Sequence, residues 1–436
     1  MENLPLDNTK ICCVMSGSST RPPSWLPPSF EALREAGADI TVIASPTAWT
    51  PDWVQERYDI TSDIRSPNLK PSENRIRVLR IIDNTMRNIV RRSTRALYTR
   101  KAHRKRLTLI GELLKKRPEV GNGRRIELLS SIYQAILACN PDIVWVLKGW
   151  YLDVALTAAQ EVDARVVFEH SDLCFAENGA NEKLAQWMPY EANLAAQTDS
   201  TIVCAPGYID YYQEYAQPTS IKHMHARWLM SSDVIDTPSR VHHPLRFISF
   251  GIIHPSRYPD ILIQAFERTE YPVTLTLQGE NQITPEDETI YPLMQAAIKE
   301  FLPKITVLDP CKWNRVVETV SHYDVGIVVH DTLTEGRIHC LTTKVCTYLA
   351  AGLIVLSVDT PGMRAGLGES DAIIYLREPT PEGIAEGIRV IANMSDDDIM
   401  RRKQVALELA HTHSWETIGK QAYLDEFIRA KDRLGT

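Results

Sequence analysis

The chain has 436 residues, more than one ordinary hydrophobic core organises, and this length favours two domains of roughly 200 residues each. Apolar residues make up 44% and charged residues 24%, which excludes a disordered or fibrous chain. The net charge of −7 conceals a basic segment, because residues 75–125 carry 17 Lys or Arg and only 3 Asp or Glu. Such segregation of charge favours an anionic partner for part of the surface.

Targeting signals and cysteine pairs are missing from the sequence. No apolar run approaches the ~20 residues that span a bilayer, and the start MENLPLDNTK has neither the basic nor the apolar region of a signal peptide. The eight cysteines form no CxxC pair and no zinc-ligand spacing. We therefore expect a cytoplasmic protein with reduced, buried cysteines and no metal site.

The first half of the chain alternates predicted strands and helices. The first strand is followed by a polar turn that contains Gly17. The pattern predicts strands at Lys10–Met15, Asp39–Ala44, Asp142–Leu147, Arg165–Glu169 and Ser200–Cys204, and helices at Pro28–Ala36 and Tyr151–Val162. This alternation predicts a parallel, doubly wound sheet, whose ligands bind beyond the carboxyl ends of the strands.

A second β/α series follows the polar, proline-containing stretch Asp236–Pro244, which we interpret as the interdomain linker. The pattern predicts strands at Arg246–Phe250, Val273–Gln278, Ile305–Leu308, Val325–Val329, Leu353–Leu356 and Ile373–Leu376, and helices at Pro259–Glu267, Ile290–Phe301 and Trp313–Val320.

The segment TTKVCTYLAAGLIVLS, residues 342–357, carries the strongest local signal. Thr342 or Thr343 can cap a short helix, Gly352 can end it, and an apolar strand follows. The free N–H groups and the dipole of the helix start favour an anionic ligand, and Lys344 stands in the first turn.

This segment resembles the donor-site helix of GT-B glycosyltransferases, especially the retaining family 4. Three further motifs, in the same order along the chain, resemble that family: Phe250-Gly251 with Arg257 and Ala265-Phe266, then Leu277-Gln278-Gly279-Glu280, then His413-Ser414-Trp415-Glu416. The likeness covers most of residues 246–430 and, more faintly, 10–205.

The resemblance implies an α/β protein of the GT-B fold, with two doubly wound Rossmann-like domains facing across a cleft. Residues 1–240 would form the acceptor domain, including a basic helical insertion at about 75–125. Residues 241–412 would bind the nucleotide sugar, and a C-terminal helix within 413–436 would return to the N-terminal domain.

The resemblance also implies the roles of the donor-site residues. Arg257 and Lys344 would stabilise the leaving diphosphate, on which negative charge grows during transfer. Further contacts to the donor would come from Gly251, Glu280, Thr342 and Thr343. A solvated first-turn lysine and a surface-loop arginine are the alternative interpretations of the two cations.

The sequence departs from the family at the two glutamates of the donor site. Aligned on Gly352, their positions hold His339 and Thr347. Thr347 can hydrogen-bond a ribose hydroxyl but supplies no charge. Glu335, in the preceding turn, either replaces the missing ribose-binding glutamate from the loop or is an ordinary exposed acid.

Three candidates fall in the first half. His170 ends a predicted strand, where related enzymes carry a histidine that faces the cleft. It orients donor or acceptor hydroxyls, or it satisfies a local hydrogen bond. Asp172 is a weaker acid/base candidate. Gly17 would let the backbone approach the ligand, or it belongs to an ordinary turn.

Within the basic segment, an apolar stripe that includes Val78, Ile82 and Ile89 lies opposite a row of arginines on a helical wheel. Such a helix docks on anionic membranes or packs on the core with a solvated basic face. Peripheral attachment to the inner face of a membrane is the first interpretation. Nucleic acid is disfavoured, because only Tyr98 adds an aromatic ring.

The resemblance implies a metal-independent glycosyltransferase that uses a nucleotide sugar, with a UDP- or GDP-sugar expected, no resident cofactor and retention of configuration. The acceptor would be a lipid-linked or other glycan precursor. Two alternatives stay open: a degenerate GT-B protein that binds a membrane or polyanion without catalysis, and a nucleotide-sugar epimerase.

Overall fold

The computed structural model describes residues 4–15, 26–44, 50, 54, 56–59, 108–113, 124–147, 149–170, 187–215, 221–223, 230–330 and 335–434. Gly17, Asp172 and most of the basic segment 75–125 lie outside these residues. The chain divides into two compact units. The first unit comprises the described residues within 1–204, 209–224 and 420–436, and the second those within 205–208 and 225–419.

The first unit is built on a parallel sheet whose strands are apolar enough to be covered on both faces. Its strands are β1 (Lys10–Val14), β2 (Asp39–Ala44), β3 (Glu56–Asp59), β4 (Ile143–Val146), β5 (Arg165–His170), β6 (Ser200–Val203) and β7 (Ile221–His223). They lie in the order β3-β2-β1-β4-β5-β6-β7, and all neighbours pair in parallel. This order is that of a doubly wound sheet that begins at β1.

Helices connect the strands of the first sheet. They are α1 (Leu26–Glu35), α2 (Arg124–Cys139), α3 (Leu152–Glu161), α4 (Trp187–Ala195) and α5 (Gly207–Tyr215). The last helix of the chain, Lys420–Asp432, also belongs to this unit. Its Tyr423 hydroxyl and the Trp145 indole N–H both donate to one oxygen of the buried Glu169 carboxylate, each at 3.0 Å. These bonds fix the C-terminal helix to strands β4 and β5.

The second unit is built on a second parallel sheet. Its strands are β8 (Leu245–Phe250), β9 (Val273–Gln278), β10 (Ile305–Leu308), β11 (Val325–Val328), β12 (Ile354–Val358) and β13 (Ile373–Leu376). They lie in the order β10-β9-β8-β11-β12-β13, and all neighbours pair in parallel. The chain runs outward from β8 to one side and then returns to β11 on the other. The gap between the ends of β8 and β11 is therefore a topological switch point, where open α/β sheets bind ligands.

The helices of the second unit cover both faces of its sheet. They are α6 (Pro259–Arg268), α7 (Tyr291–Ile298), α8 (Val316–Val320), α9 (Glu335–Ile338), α10 (Thr343–Ala350), α11 (Pro361–Leu367), α12 (Pro381–Ala392) and α13 (Asp396–Thr412), and α14 is the C-terminal helix of the first unit. Among the helices that the structure describes, none is long and apolar enough to cross a membrane.

The two doubly wound parallel sheets predicted from the sequence are confirmed. Four strands, β2, β9, β10 and β13, have the predicted bounds, whereas helix ends shift. A π-helical turn, Trp415–Gly419, leads directly into the final helix at Lys420, so helical structure begins inside the His413-Ser414-Trp415-Glu416 motif, as the resemblance implies. That motif is held inside the second unit, because the Glu416 carboxylate accepts from the Ser231 N–H at 2.8 Å and the Ser414 and Ser231 hydroxyls bond at 2.7 Å.

We predict that Gly326→Ala destabilises the second unit by about 1–3 kcal/mol through overpacking. A Cβ at Gly326 would lie 2.2 Å from the Tyr348 ring. Gly111→Ala is the matched control, because an added Cβ there meets nothing within 4 Å. Urea unfolding measures both variants, and equal midpoints for Gly326→Ala and the wild type would contradict the prediction.

Candidate functional site

The start of helix α10 is fixed to the switch point by Tyr348. Its hydroxyl accepts the Phe250 N–H at 2.9 Å and donates to the Ile327 carbonyl at 3.3 Å. One side chain of α10 thereby bonds the ends of both β8 and β11, and the ring fits over Gly326, where no larger residue leaves room. Burial raises the pKa of Tyr348, so its hydroxyl keeps the proton that it donates.

Two glycines allow backbone segments to approach each other closely beside Lys344. Gly251 follows β8 with φ +109°, and a Cβ there would lie 3.0 Å from Lys344 Cε and 3.5 Å from Nζ. Gly279 follows β9 with φ +154°, and a Cβ there would lie 1.7 Å from the Gly251 carbonyl oxygen. Both positions favour glycine because of their positive φ, and Gly279 also requires it for lack of space. The aliphatic end of Lys344 therefore lies directly on the Gly251 backbone.

Two guanidinium groups join Lys344 at this edge. Arg257 ends a 3₁₀ turn, Pro255–Arg257, that follows β8. Arg337, on α9, donates to the carbonyl oxygen of Ser256 at 2.9 Å and to its hydroxyl at 3.1 Å. Ser256 lies next to Arg257 in the same turn, so these bonds hold the two arginines near each other.

The electrostatics of Lys344 reflect this crowding of positive charge. Burial, and then the charges of Arg257 and Arg337, lower the pKa of Lys344 to about 7. Three cations in one partly buried site repel one another, and an anion would relieve that repulsion. We refer to Arg257, Arg337 and Lys344 as the cation cluster.

His330 lies beside the cation cluster, two residues beyond the end of β11, and is 4% exposed. Burial, followed by the charges of Arg257 and Arg337, lowers the pKa of His330 to about 4. A hydrogen bond to the Arg337 backbone acts in the opposite direction and is outweighed. The imidazole is consequently neutral at physiological pH.

The N-terminus of α10 supplies backbone donors at the same place. Thr342 is the N-cap residue, but its side chain makes no capping hydrogen bond, which leaves first-turn N–H groups open to a ligand. Thr343 is the first helical residue, and its carbonyl accepts the Thr347 hydroxyl proton at 3.3 Å. Thr347 therefore keeps only acceptor capacity for a ligand.

A cleft of about 420 Å³ opens at the ends of β9 and β10. It is lined by Gly279, Glu280, Asn281, Ile298, Val307, Leu308, Asp309 and Pro310. Glu280 is exposed, and its carboxylate accepts from the Gln282 amide at 3.3 Å. The cleft shares Gly279 with the backbone contact that reaches Lys344, so it borders the cation cluster.

His170 belongs to the first unit. It ends β5 in the first unit, is 1% exposed, and its Nε2 lies 3.0 Å from the carboxylate of Glu191. The Tyr212 hydroxyl donates to that same oxygen at 2.7 Å. This close contact with a carboxylate inside the first unit fits a local role of His170, and its role toward a substrate stays a prediction.

The structure thus brings together Gly251, Arg257, Thr342, Thr343, Lys344 and Thr347, with Glu280 in the adjoining cleft. Glu335 opens α9, and His339 directly follows that helix. Sequence reasoning missed Arg337 and His330. His330 could have been found from the sequence as a polar residue that closely follows an apolar strand. Arg337 is identified only by its bonds to Ser256.

The arrangement can bind a polyanion through charge, helix N–H groups and close backbone approach. Phosphate groups match this chemistry, since they accept several charged hydrogen bonds at once. In the part of the chain that the structure describes, no group of three or more His, Cys, Asp or Glu side chains has the arrangement of a metal site.

Comparison with solved structures shows the GT-B fold over nearly the whole chain. Anabaena HepE in complex with UDP and glucose matches with a TM-score of 0.61 at 12% identity, over 97% of this chain and 99% of that one. Sucrose-phosphate synthase from Thermosynechococcus elongatus matches with a TM-score of 0.64 at 12% identity, over 97% and 98%. The E. coli trehalose-6-phosphate protein bound with UDP-2-fluoro glucose matches with 0.57 at 10%, over 96% and 99%.

The sequence itself gives no such match. No protein-family profile and no curated protein sequence matches the chain. At these identities the structural likeness establishes the fold, which confirms the fold expected from the resemblance.

We predict that Lys344 titrates near neutrality. With a pKa of about 7, its amine is mostly uncharged and nucleophilic at about pH 8, whereas an ordinary lysine is protonated there. Pulse labelling with acetic anhydride, read by mass spectrometry, should give a reactivity midpoint for Lys344 between about pH 6 and pH 8. The exposed Lys299 is the reference, and coincident profiles for the two lysines would contradict the prediction.

Proposed function

We propose that the second unit binds a nucleotide sugar and that the protein is a glycosyltransferase. The observation that carries the proposal is the cation cluster of Arg257, Arg337 and Lys344, gathered on the backbone of Gly251 beside the open N-terminus of α10. A diphosphate carries the compact negative charge that such a site neutralises.

The nucleotide would lie along the carboxyl edge of the sheet. Its diphosphate would contact Lys344, the arginines and the N–H groups of the first turn of α10. The base would enter the cleft beside Gly279, where Ile298 and Leu308, 46% and 40% exposed, offer an apolar wall. The solved structures of HepE with UDP-glucose and of the E. coli protein with UDP-2-fluoro glucose support a UDP-sugar as the first donor to test.

The cations act on the leaving group. When the bond from the anomeric carbon to the phosphate oxygen breaks, negative charge grows on that oxygen and the fixed positive groups stabilise it. The acceptor oxygen then bonds to the anomeric carbon, and its proton passes to the departing phosphate. This route needs no separate carboxylate base and is compatible with retention, which NMR assignment of the product anomer tests.

The acceptor and the site of action are proposed from sequence alone. The basic segment 75–125 would bring the enzyme to an anionic membrane surface, which suits a lipid-linked glycan acceptor in the cytoplasm. Co-sedimentation with anionic vesicles, compared with neutral vesicles, tests this part independently of the donor site.

Binding without transfer is the second candidate function. Thr347 replaces a glutamate of the related enzymes, and its hydroxyl proton is already committed to the Thr343 carbonyl. Nucleotide binding with no sugar released or transferred, to water or to any glycan acceptor, would favour this candidate over the transferase.

We predict that Lys344→Met and Arg337→Gln each weaken UDP binding about 10- to 100-fold, since each removes a hydrogen bond to a charged group. Isothermal titration calorimetry, with and without EDTA, measures the affinity. Arg268→Gln is the control, because that arginine is exposed and paired with Glu382 at 2.6 Å. Equal affinity in all three variants would rule out the cation cluster as the phosphate site.

We predict that UDP-glucose binds more weakly as pH rises from about 6.5 to about 8.5. Lys344, with a pKa of about 7, loses its proton over this range in the free protein, whereas a bound diphosphate raises that pKa. The affinity is thus fully present below about pH 7 and falls by up to about tenfold per pH unit above it. Lys344→Met should flatten the profile, and a wild-type profile without slope would contradict the assignment.

A further inference from the structure

The imidazole of His330 contains a buried nitrogen without a partner. Its Nε2 has no hydrogen-bond partner among the described residues, and the side chain is 4% exposed. Buried polar atoms in proteins are nearly always paired, so an orphan beside a ligand site calls for an explanation. Neither the sequence patterns nor the cation cluster accounts for it.

The hydrogen bond between the imidazole ring and the Arg337 backbone indicates whether Nε2 is a donor or an acceptor. The hydrogen bond between His330 and the Arg337 backbone favours the protonated ring, as a ring N–H donating to a carbonyl does. In a neutral imidazole, one nitrogen donates and the other accepts. Because Nε2 has no partner and the ring, with a pKa of about 4, is uncharged at neutral pH, we place the ring N–H on Nδ1, toward the Arg337 backbone, which leaves a lone pair on Nε2.

A lone pair and a cation attract different parts of one ligand. The charges of Arg257, Arg337 and Lys344 all act on the His330 ring, so the ring lies near the cation cluster. Phosphate oxygens would be repelled by the Nε2 lone pair, whereas a hydroxyl group would donate to it. The site therefore pairs a region for phosphate with an acceptor for an alcohol.

The order of the strands indicates which hydroxyl is involved. Along the sheet edge, the cleft lies at β10 and β9, Gly251 with Lys344 at β8, and His330 at β11. Neighbouring strands are about 4.8 Å apart, and a nucleotide sugar is a linear sequence of base, ribose, diphosphate and glycosyl group. With the base in the cleft and the diphosphate at Lys344, the glycosyl group extends toward β11.

We propose that Nε2 of His330 accepts a hydrogen bond from a hydroxyl of the glycosyl group of the donor, which makes His330 a specificity-determining residue. The inference rests on the proposed function and adds to it a contact that selects the sugar. A donor without the matching hydroxyl leaves the acceptor unpaired and binds more weakly.

Calorimetric titration of inorganic pyrophosphate, UDP and UDP-glucose tests this assignment in the wild type, His330→Phe and His330→Gln. The Phe variant keeps the ring volume and removes the acceptor, and the Gln variant retains an amide oxygen that can accept. We expect His330→Phe to lose about tenfold in affinity for UDP-glucose with UDP and pyrophosphate unchanged, and His330→Gln to recover most of the loss.

Three results would overturn the inference. Unchanged UDP-glucose affinity in His330→Phe would mean that Nε2 serves only a buried water. A loss shared by pyrophosphate would assign the ring to the phosphates, and a loss shared by UDP but not by pyrophosphate would assign it to the ribose. If the wild type binds none of the three ligands, the proposed function itself fails, which is a separate outcome.

A series of donor analogues, measured on the wild type, tests the inference even if the His330 variants fold poorly. Thermal melting of the ligand-free proteins reports folding. For the wild type, UDP-glucose is compared with its 2-, 3-, 4- and 6-deoxy analogues, and one analogue should bind about tenfold more weakly. That loss should be absent in His330→Phe, which has no acceptor, and should persist in His330→Gln, whose amide oxygen accepts. Equal binding of all analogues by the wild type would overturn the inference without any mutation.

Discussion

The hydrogen bonds of the Tyr348 hydroxyl determine where the ligand-binding groups of the second unit lie. By joining the end of β8 to β11 through one side chain of α10, they set the start of that helix at the switch point of the sheet. Gly326 makes the contact possible, because any side chain there would enter the Tyr348 ring. The open N–H groups of α10, Lys344 and the Gly251 backbone all depend on this anchoring.

The arrangement gathers positive charge in one site, which is unfavourable without a ligand and favours the binding of an anion. Burial and two guanidinium groups shift the pKa of Lys344 toward neutrality and keep His330 uncharged. Without a ligand, the cations repel one another in a poorly solvated site, so part of the favourable energy of anion binding is relief of that repulsion. Burial and the same charges keep His330 neutral rather than a fourth cation, and in our proposal this separates recognition of an alcohol from recognition of phosphate.

Much of the architecture could be predicted from the sequence, because parallel strands buried on both faces are continuous apolar runs bounded by turn residues. Ile143–Val146 and Ile354–Val358 are such runs with every residue buried, and they overlap the predicted strands Asp142–Leu147 and Leu353–Leu356. The motif His413-Ser414-Trp415-Glu416 also indicated the opening of the final helix, but it gave no sign of the bonds from Ser414 and Glu416 to Ser231 that hold it in the second unit. Those partners lie more than 180 residues apart in the chain, and local pattern carries no information about them.

The sequence by itself determined the class of fold, the helix start beside Lys344 and the glycines that follow β8 and β9, since these features depend on local periodicity, capping and backbone freedom. Only the tertiary structure decided that Arg337 joins Arg257 through Ser256, that His330 lies near three cations, and that His170 is enclosed with Glu191 and Tyr212. The physical reason is that charge and hydrogen bonding act through space. Residues distant in the chain shift one another's pKa values only when the sheet brings its strand ends together at one edge.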